Sequence, residues 1–310
     1  MRLQQLDRPD LRRRLREGSL GLRLEPFSLR VCTDIDSLVD DIAAMYGAFE
    51  LLGPDEFADF HVAVRLSGGL LGRLRPRAEF WFDGQRSFTP LPAAQGLAML
   101  EWGINWCIAA HAHQYLLIHA AVLEREGRAL LMPAPPGSGK STLCAALAQR
   151  GWRLLSDELG LLDMDSGLLQ GMARPINLKN QSIALLREFA PQAVFSAAMA
   201  GTAKGTVALM RAPDAAIARR TEPARPAWVV LPRYQAGAPA SLQPLEHAPA
   251  FMEVAEQSFN YDIHGQRGFQ ALGRMMAGCA CYRFEYSALE DAMRQFEQLA
   301  NATDTGAATP

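Results

Sequence analysis

The sequence predicts an α/β protein, and three observations support that prediction. The chain has 310 residues, of which 49% are hydrophobic, so it can form one large domain or two ordinary ones with a substantial core. Segments with the alternating apolar pattern of strands are interleaved with segments of helical spacing. Between one such strand and one such helix, residues 134–142 read APPGSGKST, which is the context expected of an anion-binding loop.

Composition and charge exclude several classes of protein. The formal net charge is −2, from 31 basic and 33 acidic residues, so no global field attracts nucleic acid or an anionic membrane. The five cysteines are too few and too scattered for a disulfide framework. Cys279 and Cys281 have neither a second pair nor a nearby histidine that would complete a zinc site. This cysteine usage favours the reduced cytoplasm.

No segment is typical of a targeting or membrane-spanning sequence. The N-terminal arginine cluster is followed by no apolar run, so it is neither a signal peptide nor a twin-arginine leader. The most apolar window, 102–123, is interrupted by Asn105, Gln114 and three histidines, which a membrane span would have to bury. We therefore expect a soluble cytoplasmic protein without a membrane span, in which this window forms a buried helix followed by a strand.

Residues 1–112 are predicted to form an α/β region of unknown role without a catalytic motif. Its strands are expected at 22–33, 60–66 and 78–82, and its helices at 36–52 and 92–112.

Residues 113–300 are predicted to form a second domain, followed by a disordered tail over 301–310. Its strands are expected at 115–123, 129–132, 153–155, 159–164, 206–210, 227–231 and 282–286. Its helices are expected at 140–150, 181–189, 250–257, 268–277 and 289–299.

Residues 134–142, hereafter the glycine loop, match the phosphate-loop pattern G-x-x-x-x-G-K-[ST], except that Ala134 replaces the first glycine. In such a loop the backbone N–H groups surround a phosphate, the lysine reaches the β and γ oxygens, and the following hydroxyl joins the Mg²⁺ shell. Ser141 is therefore a predicted metal ligand. The predicted nucleotide-binding residues are Pro136, Gly137, Ser138, Gly139, Lys140, Ser141 and Thr142. The alternative is a degenerate loop that only packs.

Two adjacent carboxylates, Asp157 and Glu158, end the apolar segment WRLLSDE shortly after the glycine loop. A carboxylate at the end of a strand beside a phosphate loop is where a Walker-B metal ligand lies. Without the loop, an acid pair that merely ends a strand would be the simpler interpretation. His119 lies on a preceding predicted strand among apolar residues, and its position alone favours a core or boundary histidine.

Lysine is rare in this chain, since only Lys140, Lys179 and Lys204 stand among the 31 basic residues. All three lie in loop-like segments that contain glycine or proline. A compact ammonium group can approach a phosphate as a point charge, which a planar guanidinium group does less well. We predict that Lys204, beside Gly205, contacts the γ-phosphate or the acceptor. The alternative is a solvated surface residue.

Residues 118–162 resemble the catalytic core of HPr kinase/phosphorylase. The shared plan is a strand with a histidine, a hairpin, the glycine loop, a short helix ending in Arg-Gly, and a strand ending in a small residue and two acids. A closer resemblance, over nearly the whole chain, is to the HPr-kinase-related kinase A group. It is carried by FADFHV, LEWGINWCIAAHAHQYLLIHAAV, PAPPGSGKSTLCAAL, RGWRLLSDEL, KGTVA and FNYDIHGQRGF.

The resemblance implies an HPr-kinase-like catalytic domain of the phosphoenolpyruvate-carboxykinase type, with ATP as phosphoryl donor, Mg²⁺ as cofactor and a hydroxyl acceptor. It implies that Asp157 accepts the proton of the acceptor hydroxyl and that Glu158 helps to hold Mg²⁺. It further implies that His119 lies near the transferred phosphate, and that Arg174 in ARPIN faces a phosphate. The N-terminal region does not resemble that of the parent enzyme, so the parent's hexamer and regulation are not implied.

Together, the loop, the acids and the resemblance predict an ATP-dependent kinase that phosphorylates a serine or threonine of a small protein or peptide. The resemblance adds a small PqqD-like protein from a bacterial peptide-modification cluster as an associated partner. Two alternatives stay open. One is a nucleotide-sensing module without turnover, and the other is a kinase that acts on the hydroxyl group of a small molecule.

Overall fold

The computed structural model describes residues 1–68 and 75–302, which form two compact units. The first unit consists of Met1–Ala112 and Met172–Thr221. The second unit consists of His113–Gly171 and Glu222–Pro310, described as far as residue 302. The predicted boundary after residue 112 coincides with a boundary between the units. Residues 172–221 differ from the prediction, because we placed them in the second domain and the structure places them in the first unit.

Helices and strands alternate along both units, as in a mixed α/β protein. The helices are α1 (Arg8–Glu17), α2 (Asp36–Tyr46), α3 (Gly96–His111), α4 (Lys140–Gln149), α5 (Gln181–Phe189), α6 (Asp214–Ala218), α7 (His247–Glu256), α8 (Tyr261–Ala277) and α9 (Leu289–Ala302). The strands of the first unit are β1 (Leu20–Arg23), β2 (Ser28–Thr33), β3 (Phe60–Leu66), β4 (Arg77–Phe82), β5 (Gln85–Arg86), β6 (Leu91–Pro92), β13 (Ile176–Lys179), β14 (Met199–Thr202) and β15 (Gly205–Met210). The strands of the second unit are β7 (Tyr115–Ile118), β8 (Ala120–Arg125), β9 (Arg128–Pro133), β10 (Arg153–Ser156), β11 (Gly160–Asp163), β12 (Leu169–Gln170), β16 (Arg225–Tyr234), β17 (Ser241–Pro244) and β18 (Ala280–Tyr286).

The main sheet of the first unit has the order β1-β2-β3-β4-β5, with β6 also paired to β4. β2 and β3 are parallel, whereas the other pairs are antiparallel. The single strand predicted over 22–33 is instead the hairpin β1–β2. Pro26 has no N–H to donate to a ladder, and the turn closes through a 2.9 Å hydrogen bond from Leu24 N–H to the Phe27 carbonyl.

Residues 172–221 join the first unit through a small antiparallel sheet of order β13-β15-β14. β15 contacts α3, and the side-chain amide of Gln95 donates a 2.9 Å hydrogen bond to the Ala200 carbonyl. These contacts join residues about a hundred positions apart, which local hydrophobic patterns do not report. That long-range pairing is why the predicted domain over 113–300 does not form one unit.

The arginine-rich N-terminal segment, for which the sequence pattern gave no helix, forms α1. The Asp7 carboxylate caps the helix by accepting a 2.7 Å hydrogen bond from Asp10 N–H, and Gly18 ends it with a φ of 71°. The helix places its arginines in surface ion pairs, such as Arg8 with Asp40 at 2.6 Å. The helix predicted over 36–52 corresponds to α2, which ends earlier than predicted, at Tyr46.

The central sheet of the second unit has the order β10-β8-β9-β16-β18-β17. β9, β16 and β18 are parallel, so their carboxyl ends meet at one edge of the sheet. A smaller sheet has the order β12-β11-β7. The strand predicted over 115–123 is divided between these two sheets at His119, because the His119 N–H donates a 2.7 Å hydrogen bond to the Gln257 carbonyl.

The core of the second unit extends under α9. The buried rings of Trp152 and Trp228 lie 5.8 Å apart, and Phe296 of α9 packs edge-on against Trp152. Because α9 runs to Ala302, residues 301 and 302 of the predicted tail are helical, and 303–310 lie outside the described residues. Within the described ranges, no helix has the length and apolar character needed to cross a membrane.

Candidate functional site

The glycine loop connects β9 to α4 in the second unit. Gly137 and Gly139 have φ values of 90° and 88°, a region that glycine adopts without steric cost. Ala134, which replaces the first glycine of the pattern, is buried and has no positive φ, so the substitution does not strain the loop. The chain thus folds into a turn whose backbone leads directly into the N-terminus of a ten-residue helix, where N–H groups lack partners within the helix.

Two tyrosines at the ends of parallel strands hold the glycine loop. The Tyr286 hydroxyl donates a 3.0 Å hydrogen bond to the Gly139 carbonyl, and Tyr234 N–H donates a 2.9 Å bond to the Ser138 carbonyl. Burial, with a smaller effect from Tyr234, raises the pKa of Tyr286, so its hydroxyl stays a neutral donor. A side chain at position 139 would overlap the Tyr286 hydroxyl, which explains the glycine there. Sequence reasoning missed both tyrosines, although each ends a strand parallel to the one before the loop.

Three strand ends place the loop, an acid and a histidine at one edge of the central sheet. β8 pairs antiparallel with both β9 and β10, so β9 and β10 run in the same direction. The carboxyl ends of β9 and β10 therefore lie at the same edge as the amino end of β8. The glycine loop follows β9, Asp157 follows β10, and His119 precedes β8. The structure thus brings three predicted parts of the site together.

Lys140 and Asp157 are both buried, and the charge of each affects the pKa of the same thiol. Lys140 is 6% exposed and Asp157 is 5% exposed. Burial, followed by the charge of Asp157, raises the pKa of Cys144 on α4 well above its usual range, while the Lys140 ammonium group opposes that shift. Lys140 begins α4 directly after the glycine loop and Asp157 directly follows β10, so both buried residues lie at this edge of the sheet.

Glu158 and His119 form a contact beside this buried pair. Their Oε2 and Nε2 atoms are 3.1 Å apart, and the side chains are 19% and 20% exposed. Because a carboxylate can only accept, the imidazole N–H is the donor. The exposed ring of Phe259 lies 5.7 Å from that of His119. His119 thus orients Glu158, a contact that neither the sequence pattern nor the resemblance predicts.

The donor set fits Mg²⁺ held together with phosphates. Among the residues that the structure describes, no group of three or more His, Cys, Asp or Glu side chains is placed to hold a metal ion. Mg²⁺ at phosphate sites usually takes only one or two protein oxygens and completes its shell with water and phosphate. The Ser141 hydroxyl, in the first turn of α4, and the Glu158 carboxylate are oxygens of that kind, and both residues are partly exposed.

Arg174 lies in the first unit and makes an internal ion pair. Its side chain is 6% exposed, and Nη1 donates a 3.0 Å hydrogen bond to the buried Glu101 carboxylate. Nη2 donates to the Asn105 side chain. The structure therefore places Arg174 in a different unit from the glycine loop, with contacts that belong to the core of the first unit.

Lys204 also lies in the first unit, in the turn between β14 and β15. Its Nζ atom is 5.1 Å from the centre of the Trp102 ring, and its backbone N–H donates a 3.1 Å hydrogen bond to the Thr202 hydroxyl. Gly205 has a φ of 86° and lies against the Asn180 side chain. Lys204 is exposed, in a turn built by its neighbours.

Comparisons with known proteins give distant structural similarity but no match to a family or to a curated protein. No protein-family model matches the sequence, and no curated protein matches it. Among solved structures, the chain is similar to the Hpr(Ser) kinase/phosphatase from Coxiella burnetii, with a TM-score of 0.27 and 12% sequence identity. The similarity covers 60% of this chain and 98% of that chain.

Proposed function

We propose that this chain is a kinase that transfers the γ-phosphoryl group of ATP to a hydroxyl group, in a serine or threonine of a protein or peptide. The observation that carries the proposal is the cluster at one edge of the central sheet of the second unit. There, a glycine loop that opens a helix lies at the same edge as a buried lysine, a buried aspartate and a second, partly exposed carboxylate. Loops of this kind bind phosphates through backbone N–H groups and the helix N-terminus.

The proposed reaction requires no covalent bond between the protein and the phosphoryl group. The acceptor oxygen forms a bond to the γ-phosphorus, and the bond from that phosphorus to the β–γ bridging oxygen breaks, which yields ADP and a phosphoester. Catalysis in such reactions comes mainly from positioning and from neutralising charge. Lys140 would bind the oxygens of the departing diphosphate, and Asp157 would accept the proton of the acceptor hydroxyl.

The second carboxylate would serve the metal ion. Mg²⁺, when bound, supplies positive charge to the phosphate oxygens, and Ser141 and Glu158 are the residues of this chain that would hold it. His119 would keep the Glu158 carboxylate in position, since carboxylate ligands are themselves commonly hydrogen-bonded. We assign His119 this positioning role in addition to its predicted place near the transferred phosphate.

The acceptor is the least constrained part of the proposal. The resemblance to HPr-kinase-related proteins supports a protein acceptor, and a small PqqD-like protein is the first candidate to assay. A metabolite with a free hydroxyl group is the competing acceptor. Radioactive phosphate from γ-labelled ATP, followed into the protein fraction or the small-molecule fraction of a cell extract, distinguishes the two.

Two substitutions test the proposal. Lys140→Ala removes the ammonium group from the loop and should abolish detectable Mg-ATP binding, as measured by calorimetry. Asp157→Asn keeps the size of the side chain but removes its charge, so nucleotide should still bind while transfer falls by roughly 100-fold or more. Lys179→Ala, at a lysine of the first unit, is the matched control and should leave both quantities unchanged.

Each result has one interpretation. Unchanged ATP affinity in Lys140→Ala would contradict the kinase proposal altogether. If the wild-type protein binds ATP but transfers no phosphate in a single turnover, it is a nucleotide-sensing module. Transfer at the wild-type rate in Asp157→Asn would remove Asp157 from the proton-accepting role.

A further inference from the structure

We propose that Tyr234 is a stacking platform for the base of the nucleotide. The site would then recognise the purine base of a nucleoside triphosphate as well as its phosphates. The inference rests on the proposed function, because it requires a triphosphate in the glycine loop. It concerns a residue that neither the sequence motif nor the proposed chemistry uses.

The position of Tyr234 relative to the loop is fixed by the main chain. Tyr234 is the last residue of β16, and its N–H donates a 2.9 Å hydrogen bond to the carbonyl of Ser138 in the glycine loop. The next residue, Gln235, donates a 3.0 Å bond to the carbonyl of Tyr286. Consecutive hydrogen bonds to the loop and to β18 leave the backbone at Tyr234 little freedom.

The side chain of Tyr234 is unusually exposed for an aromatic residue so firmly placed. It is 49% exposed, whereas Tyr286, its direct partner on the adjacent strand β18, is 1% exposed. The two rings meet edge to face, with centroids 5.8 Å apart and planes at 76°. Tyr286 thus supports one side of Tyr234, and about half of the Tyr234 surface is left for another group.

The turn after Tyr234 is fixed by hydrogen bonds. Ala238 N–H donates a 3.1 Å hydrogen bond to the Gln235 carbonyl, and the Ser287 hydroxyl donates a 2.7 Å bond to the Ala238 carbonyl. Gly237, at a φ of 77°, allows the chain to reverse there. The turn is therefore held to the residue that follows β18, so the main chain is fixed on both sides of Tyr234.

A flat π-system is the chemical group that best fits an exposed aromatic ring in this place. Bases stack on aromatic side chains with a gain of about 1–3 kcal/mol per base, whatever the base, and the larger face of a purine offers more area than that of a pyrimidine. Only a ribose separates the base of a nucleotide from its phosphates. A ring bonded through its own backbone to the phosphate loop therefore lies within reach of the base.

The experiment compares ligands with and without a base on the full-length chain. Dissociation constants of Mg-ATP, Mg-CTP and Mg-tripolyphosphate are measured by calorimetry for the wild type, Tyr234→Ala and Tyr234→Phe. Tyr234→Ala should weaken Mg-ATP about tenfold, Mg-CTP less, and Mg-tripolyphosphate less than twofold. Tyr234→Phe retains the ring and should bind all three as the wild type does.

Tyr286→Phe is the control for an effect that acts through the loop. This variant loses the hydrogen bond to the Gly139 carbonyl, so it should weaken ATP and tripolyphosphate by the same factor. Thermal unfolding followed by circular dichroism verifies that every variant is folded.

The outcomes separate the inference from the proposed function. If Tyr234→Ala weakens ATP and tripolyphosphate equally, Tyr234 only supports the loop and the inference is wrong. If it weakens neither, no base stacks there, although the loop can still bind phosphate. If the wild type binds neither ligand, the proposed function fails first, and the inference fails with it.

Discussion

The buried charged residues of the two units have different surroundings, although each unit contains a buried arginine–glutamate pair. In the first unit, Arg174 is bonded to Glu101 and Asn105. In the second unit, Arg153 is bonded to Glu124 on the neighbouring strand. The second unit also buries Lys140 and Asp157 beside a loop of backbone N–H groups, and it keeps Glu158 partly exposed at the same edge.

The difference lies in what surrounds the buried charges of each unit. Burying a charge is costly unless another charge and hydrogen bonds compensate it. Arg174 has that compensation from side chains of its own unit. The glycine loop instead leads into the N-terminus of α4, a position where helices commonly bind anions. The candidate site therefore lies in the second unit.

The largest effect is expected when the ion pair of the first unit is broken. Arg174→Ala removes the ion pair to the buried Glu101 carboxylate, so we expect the free energy of unfolding of the first unit to fall by about 3–5 kcal/mol. Hydrogen exchange measured by mass spectrometry, which resolves the two units, should detect the loss in segments of the first unit. Replacing both partners, as Arg174→Met with Glu101→Leu, should recover most of the stability.

Two interpretations of Arg174 compete in this experiment. The contacts in the first unit predict a loss of stability, whereas the resemblance to HPr kinase predicts a loss of phosphoryl transfer. An Arg174→Ala protein that is as stable as the wild type but transfers phosphate slowly would support the phosphate-facing role.

A smaller effect, which also distinguishes the units, is expected at alkaline pH. Burial raises the pKa of Cys107 in the first unit to about 12, and those of Cys279 and Cys281 in the second unit to about 12 and 11. Cys144, also in the second unit, is raised as well. The unfolded chain ionises these thiols near pH 8.5 while the folded chain keeps them neutral. Their stabilising effect is therefore complete below that pH and is lost as the pH rises toward 11 to 12.

We expect a loss of about 1–2 kcal/mol per buried thiol at pH 10. Since the second unit contains three of these four thiols, it should lose more stability than the first. Proteolysis by an alkali-tolerant protease in increasing urea, read out by mass spectrometry at pH 7.5 and pH 10, gives the stability of each unit. The double variant Cys279→Ala, Cys281→Ala should reduce the pH dependence in the second unit alone. Equal losses in both units would contradict the assignment.

The smallest expected effect is at Lys204. Arginine preserves the cation–π contact with Trp102, so Lys204→Arg should change the free energy of unfolding by less than about 0.5 kcal/mol. Lys204→Ala removes that contact and should cost about 0.5–1 kcal/mol. Chemical denaturation measures both. The contacts in the first unit predict normal transfer in both variants. A several-fold slower transfer in Lys204→Arg would favour the role that the scarcity of lysine suggested.

Sequence patterns predicted the parts of the fold that depend on local spacing. The strand β3 and the helix α5 have the predicted bounds, because both have clear apolar periods. The glycine loop was located by its motif and by the strand and helix on either side. Local patterns could not show that 172–221 pairs with distant segments, or that β7 and β8 belong to different sheets.

The acids and the histidine of the candidate site could be predicted from the sequence, whereas the contacts between them could not. Asp157, Glu158 and His119 stood out in the sequence because of their chemistry and position. The bond between His119 and Glu158 depends on where one strand breaks, and the two tyrosines approach the loop because β16 lies beside β9 and β18 lies beside β16. Such neighbours are set by the order of strands in a sheet, which one sequence does not reveal.

The interleaved course of the chain also affects how the protein is made. A ribosome adds about 5–20 residues per second, and it releases 113–171 before the last strands of the first unit exist. The first unit can close only once Thr221 has emerged, and the second unit only later. A fragment that begins at residue 113, where the sequence suggests a boundary, would contain β13, β14 and β15. It would lack the helix α3 that β15 contacts. Expression of the separate halves would therefore require the gene to be cut at residues 113, 172 and 222, and its pieces rejoined in a new order.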